Sequence, residues 1–138
     1  MITPEMLRQQ EAQFAQAFAR GDIEIARALY HPEVVYLSPT VRLLDWPPRI
    51  EGVDRTLEFI ALTIRNLREI DYRAVEDVIA LDGRSAFVRI HFDWTSDQVR
   101  LRSNYVVIYR YREQLIGQQE LYYDPIGRLE VLDPPRSR

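Results

Sequence analysis

Residues 87–95 read Phe-Val-Arg-Ile-His-Phe-Asp-Trp-Thr. Val88, Ile90, Phe92 and Trp94 hold the even positions, and Arg89, His91 and Asp93 alternate with them. Successive side chains of a strand point to opposite faces, so this period of two predicts a strand with one apolar and one charged face. From periodicity alone the apolar face is core and the charged face is solvent. Which of the two lines the interior decides where any site lies.

The period-two pattern extends on both sides of this strand. It predicts strands over 72–81, 86–95, 99–111 and 115–123, with Asp82-Gly83 as a hairpin signal and turns at 95–98 and 112–114. Gly117 falls inside the last strand and predicts a bulge. Before residue 71 the period is helical. Thr3-Pro4-Glu5 reads as an N-cap, a proline at the first helical position and an early acid. Leu7, Phe14 and Phe18 then recur at helical spacing, with Ala12, Ala15 and Ala17 between them, up to Gly21. Asp22 caps a second helix carrying Ile25, Ala26 and Leu29, which Pro32 stops by restricting His31. A short strand at 34–37 leads to a proline-bearing loop at 39–52. Asp54 begins a third helix, with Leu57, Ile60, Ile64 and Leu67 along one stripe. Helix, helix, strand, helix and four antiparallel strands make an α+β domain. Residues 1–132 are expected to form it, with 133–138 as a loose polar tail.

Composition narrows the chemistry. The 138 residues include 18 basic groups, all of them arginine, against 21 acidic ones, with two histidines and no cysteine. Without cysteine there is no thiol nucleophile, disulfide framework or thiolate zinc site. Without lysine there is no Schiff base and no P-loop lysine. Two histidines rule out a three-histidine metal site, and no third ligand joins His91 and Asp93 at a convincing spacing, so no metal and no cofactor are expected. A net charge of −3 argues against general nucleic-acid binding. Pro4, Glu5, Arg8 and Glu11 break any signal-like run, and the longest apolar run is 105–109. A cytoplasmic chain without a membrane span is therefore expected.

Four segments, 14–22 (FAQAFARGD), 29–36 (LYHPEVVY), the Gly52-led third helix and 116–124 (IGQQELYYD), occur in an order that resembles the nuclear transport factor 2-like superfamily, particularly its SnoaL-like branch. The resemblance implies a curved sheet wrapped around three N-terminal helices, enclosing a cone-shaped pocket, and a homodimer formed through the outer sheet face. It also inverts the reading of 87–95. Val88, Ile90, Phe92 and Trp94 would face a partner together with Val106 and Ile108, while Arg89 and His91 would enter the cone.

The chemistries of the superfamily fit unequally. Ketosteroid isomerases need a carboxylate base and two acidic donors, but the resemblance puts Ser38 at the base and Phe14 and Val107 at the donors, none of which can serve. In the limonene epoxide hydrolase pattern Tyr36 and Arg89 match, but Ser38 replaces an asparagine, and His91 and Leu121 stand where two carboxylates are required. Leucine cannot act as an acid. SnoaL-like cyclases give the closest partial fit through Arg89-Ile90-His91, with Tyr105 near their carboxylate position. The expected site therefore has His91 moving a proton beside a carbonyl, with Arg89 or Tyr105 stabilising the oxyanion. Phe14, Phe18, Tyr36, Ser38, Leu101, Leu121 and Trp46 would contact a small apolar carbonyl or carboxylate ligand. Alternatively the same cone serves a non-catalytic ligand-binding or dimerisation module. Structural readings stand beside these: Arg89 pairing with Asp93 or Glu76, Asp124 capping a turn, His31 lying exposed at a helix end, and Trp46 as loop anchor or pocket lid.

Overall fold

The computed structural model describes residues 1–124 and 129–132, and the tail expected at 133–138 lies outside the described residues. Helix α1 (Pro4–Arg20) starts where the side chain of Thr3 accepts from the Met6 N–H, and it ends at Gly21 in the left-handed region (φ 65°). The second helical segment, Ile23–Leu29, is a 3-10 helix rather than an α-helix, capped by the side chain of Asp22 on the Glu24 N–H. Strand β1 (Tyr30–Leu37) begins four residues earlier than the apolar pattern indicates and runs through Pro32. A 3-10 turn (Pro39–Leu44) and the short β2 (Ile50–Glu51) precede α2 (Val53–Arg65). The long strands follow: β3 (Arg68–Ile79), β4 (Ser85–Ser96), β5 (Val99–Arg112) and β6 (Leu115–Tyr123), then a short β7 (Glu130–Val131).

The sheet order is β2-β1-β6-β5-β4-β3, with β7 on β5. Only the β1–β6 pair is parallel, so the sheet is mixed, curved and unclosed, with the helical part on its inner face. Two-residue turns join the last long strands, with Asp97-Gln98 and Glu113-Gln114 all at positive φ, the geometry that matches strand twist. The expected bulge is present. Arg110 pairs with Gln118 and Tyr111 with Ile116, which leaves Gly117 as the extra residue, and a Cβ there would meet the Arg112 Cβ at 3.0 Å.

Strand β4 overturns the inverted reading. Val88, Ile90 and Phe92 are buried on the inner face, and Phe92 meets the ring of Phe18 edge-on at 5.2 Å. Trp94, half-buried, continues that face. Arg89 and His91 stand on the outer face, opposite Val106 and Asn104 of β5. The reason is energetic. Turning the strand over would expose Val88, Ile90 and Phe92, at roughly 1.5–3 kcal/mol each, and would bury a guanidinium without a partner. The apolar dimer surface drawn through Val88, Ile90, Phe92 and Trp94 is thereby corrected. Of the six residues assigned to it only Val106 and Ile108 face outward, and both are half-buried.

Ion pairs hold the outer face. Arg89 meets Glu76 at 3.1 Å. Asp93, 4% exposed, accepts from Arg102 at 2.7 and 3.1 Å, with Arg73 at 3.5 Å. Burial alone would raise the Asp93 carboxyl, but the Arg102 hydrogen bonds and the Arg102, Arg73 and Arg100 charges hold it below its ordinary value. Arg110 pairs with Glu120 at 3.1 Å across β5 and β6. His31 is not at an exposed helix end. It lies buried in β1, where its Nδ1 accepts from the Glu33 N–H at 3.0 Å.

Candidate functional site

A cavity of about 730 Å³ lies between the inner face of the sheet and the helical part. That volume is within the usual range of small-molecule sites. Phe14 and Phe18 enter it from α1, Ile60 and Thr63 from α2, and Tyr36 from β1. The sheet contributes Tyr72, Phe92, Trp94, Tyr105, Val107 and Leu121. At the mouth stand Arg42, Leu43 and Leu129, all exposed.

One region of the lining is polar and built from hydroxyls. Ser38 caps the 3-10 turn, and its Oγ lies 2.8 Å from Thr40 Oγ1. The Tyr123 phenol lies beside Ser38 and Thr40, and the Tyr36 phenol beside Ser38. Tyr105 pairs with Tyr123 in register, and their ring centroids are 5.1 Å apart. The Tyr105 hydroxyl has no hydrogen-bond partner among the described residues. Thr56 Oγ1 is the one fully enclosed side-chain polar atom without a partner there, so the Tyr105 hydroxyl opens onto the cavity. Burial, then the neighbouring phenols Tyr123 and Tyr36, push Tyr105 well above its ordinary pKa, which keeps it a neutral donor at physiological pH. Asp124, at the end of β6, is the carboxylate in the described lining, and its backbone N–H donates to the Asn104 carbonyl at 2.9 Å.

Behind this wall sits a carboxyl group that the apolar stripe of α1 conceals. Glu11 is 7% exposed and accepts from Tyr72 at 2.6 Å, Tyr109 at 3.0 Å and Gln10 at 3.0 Å. Tyr111 in turn donates to Gln10 at 2.7 Å. Burial raises the Glu11 pKa, and the hydrogen bonds from Tyr72, Gln10 and Tyr109 only partly offset it. Tyr72 shows its ring to the cavity while its hydroxyl is committed to Glu11.

The structure brings together Phe14, Phe18, Tyr36, Tyr105 and Leu121 of the expected site residues. Ser38 supports the lining from behind, through Thr40. Leu101 does not border the cavity. Trp46 packs on Phe59 at 5.3 Å under the Arg55 guanidinium at 4.4 Å, which makes it the anchor of its loop. Arg89 and His91 are corrected in position: both project from the outer face, away from the cavity. Burial, then the Arg102 and Arg73 charges, lower the His91 pKa there. The residues the sequence reading missed are Phe92, Trp94, Tyr72, Tyr123 and Gln119, together with Glu11. The first two were legible from the period-two pattern taken alone.

The SnoaL-like domain profile matches residues 11–118. The chain belongs to the SnoaL-like domain family. No curated protein sequence matches it. Among solved structures, this SnoaL-like domain is similar to TsrD from Streptomyces laurentii, with a TM-score of 0.74 and 17% identity over 92% of this chain and 94% of that one. It is also similar to SalBIII, described as an epoxide hydrolase/cyclase-like enzyme in pyran ring formation in the polyether salinomycin, with a TM-score of 0.75 and 14% identity over 96% and 100% of the two chains. A SnoaL-like protein of unknown function from Burkholderia thailandensis gives a TM-score of 0.70 and 13% identity over 90% and 99%. These are likenesses of fold. Among the described residues of the SnoaL-like domain no helix is long and apolar enough to cross a membrane, and no cluster of His, Cys, Asp or Glu is arranged to hold a metal.

Proposed function

We propose that this SnoaL-like domain binds a small, mostly apolar carbonyl compound in its cone and moves a proton beside the carbonyl. The observation that carries this reading is the Tyr105 hydroxyl, a neutral donor without a partner that opens onto an aromatic cavity. A carbonyl oxygen accepting from it gains most as negative charge develops, because the surrounding rings exclude water. Asp124 is the base in this scheme. Its carboxylate takes a proton from the carbon next to the carbonyl, and Tyr105 holds the resulting enolate oxygen. Return of the proton to a different carbon gives an isomerase, and attack of the enolate carbon on a second carbonyl of the same molecule, whose C=O π bond opens and whose oxygen takes up the proton held by Asp124, gives a cyclase. The role first assigned to His91 passes to these two residues.

Hydrogen–deuterium exchange tests the step without knowledge of the product. Cyclic ketones in D2O are expected to exchange their α-hydrogens faster with the protein than in buffer, read by NMR. Tyr105→Phe should slow that exchange roughly 100-fold while leaving the melting temperature in place, and Asp124→Asn should abolish it. A second reading, a non-catalytic binding module, is favoured by the lining itself, which holds a single carboxylate and no histidine among its described residues. Ketones that bind without any enhanced exchange decide for that reading. We also propose a homodimer through the outer sheet face, with Phe87, Val106 and Ile108 as its apolar strip in place of the inner-face residues.

A further inference from the structure

Arg42 is the basic residue among the described lining of the cavity. It sits in the last turn of the 3-10 segment at the mouth. That segment is held in place. Val41 beside it is buried at 2%, the Trp46 N–H donates to the Val41 carbonyl at 2.9 Å, and Trp46 is fastened to Phe59 and Arg55. Arginines elsewhere, such as Arg27, Arg89, Arg102 and Arg110, meet carboxylates within 3.1 Å. Arg42 meets none among the described residues. The cavity's carboxylate, Asp124, already has an interaction of its own. The mouth therefore offers an uncommitted guanidinium flanked by exposed leucines, Leu43 at 83% and Leu129 at 51%.

Building on the small-molecule reading of the cavity, we infer that its ligand is an amphipathic carboxylic acid, with the apolar body inside the cone and the carboxylate on Arg42 at the mouth. A planar guanidinium binds carboxylate through two parallel hydrogen bonds. An exposed leucine rim accommodates the methylenes just below such a head group. A cationic head would meet charge repulsion at the same place. A neutral head brings no charge for the guanidinium to pair with.

The test uses Trp94, which lines the cavity, as the reporter. Trp46 is kept, because it holds the Arg42 segment, and it packs on Phe59 outside the cavity lining, where it gives a constant background. Decanoate, methyl decanoate and decylammonium are titrated separately, below their micelle-forming concentrations, and the Trp94 fluorescence gives each Kd. The inference expects decanoate to bind about fivefold more tightly than its methyl ester, with decylammonium weakest. The advantage should shrink as salt shortens the Debye length from about 10 Å at 0.1 M to about 3 Å at 1 M. Arg42→Gln should equalise acid and ester without moving the ester's Kd, and Arg42→Lys should restore part of the preference. Equal binding of acid and ester to the unaltered arginine overturns the carboxylate assignment and leaves the cavity reading standing. Binding of none of the three overturns both.

Discussion

Glu11 is where the residue scale says most. It falls at i+4 from Leu7 and i−3 from Phe14, on the stripe that α1 buries, and that spacing was the signal for a buried carboxyl. The sequence could place it inside. It could not name the partners, because Tyr72 and Tyr109 are 61 and 98 residues away along the chain. The raised pKa fixes the sign of its effect on stability. The unfolded chain releases this proton near its ordinary pKa, whereas the fold keeps it to a higher pH, so the stability Glu11 contributes declines as pH rises above about 4.5. Gln mimics the protonated acid. Glu11→Gln should therefore gain in melting temperature relative to wild type on going from about pH 4 to about pH 7, as followed by circular dichroism in parallel melts. A constant difference across that range would mean that Glu11 does not titrate with folding. His91 gives a second residue-scale expectation. Because it stands on the outer face, His91→Ala should leave ligand affinity and α-hydrogen exchange unchanged within about twofold.

At the scale of elements, β4 is decided by what each face touches. Phe92 meets Phe18, Tyr72, Trp94 and Tyr105, whereas Arg89 has one partner, Glu76, and a half-exposed side chain. Phe92→Ala should cost about 3–5 kcal/mol in urea unfolding, and Arg89→Ala less than about 1 kcal/mol. Comparable losses would contradict the assignment of faces. Helix α2 carries an opposite case in Thr56, which is fully buried with an unpartnered hydroxyl. Thr56→Val removes that polar atom at nearly constant shape and should add about 1 kcal/mol in the same measurement. The strands and their bulge were legible because period two, Asp82-Gly83 and Gly117 are local signals. The character of the second helical segment was not, because a 3-10 run and a short α-helix share their apolar positions and cap.

For the whole molecule, the proposed dimer predicts a solution mass near twice 16.4 kDa. Ile108→Glu should return it to monomer while Trp94 still reports ligand in the cavity, measured by light scattering and fluorescence together. A monomeric wild type would remove the proposal. By itself the sequence determined the α+β class, the family, the order of elements and the alternation within each strand, because these follow from local spacing and from motifs in fixed order. Only the tertiary structure decided which side of β4 faces the cone; it leaves Arg89 and His91 on the other side, which is why the proposed proton transfer is written on Tyr105 and Asp124 and the proposed ligand contact on Arg42. Periodicity separates an apolar face from a charged one, but it does not say what will cover either. Coverage depends on where α1 and α2 pack across the sheet, and that is settled by burying Val88, Ile90 and Phe92 against aromatic rings from distant parts of the chain.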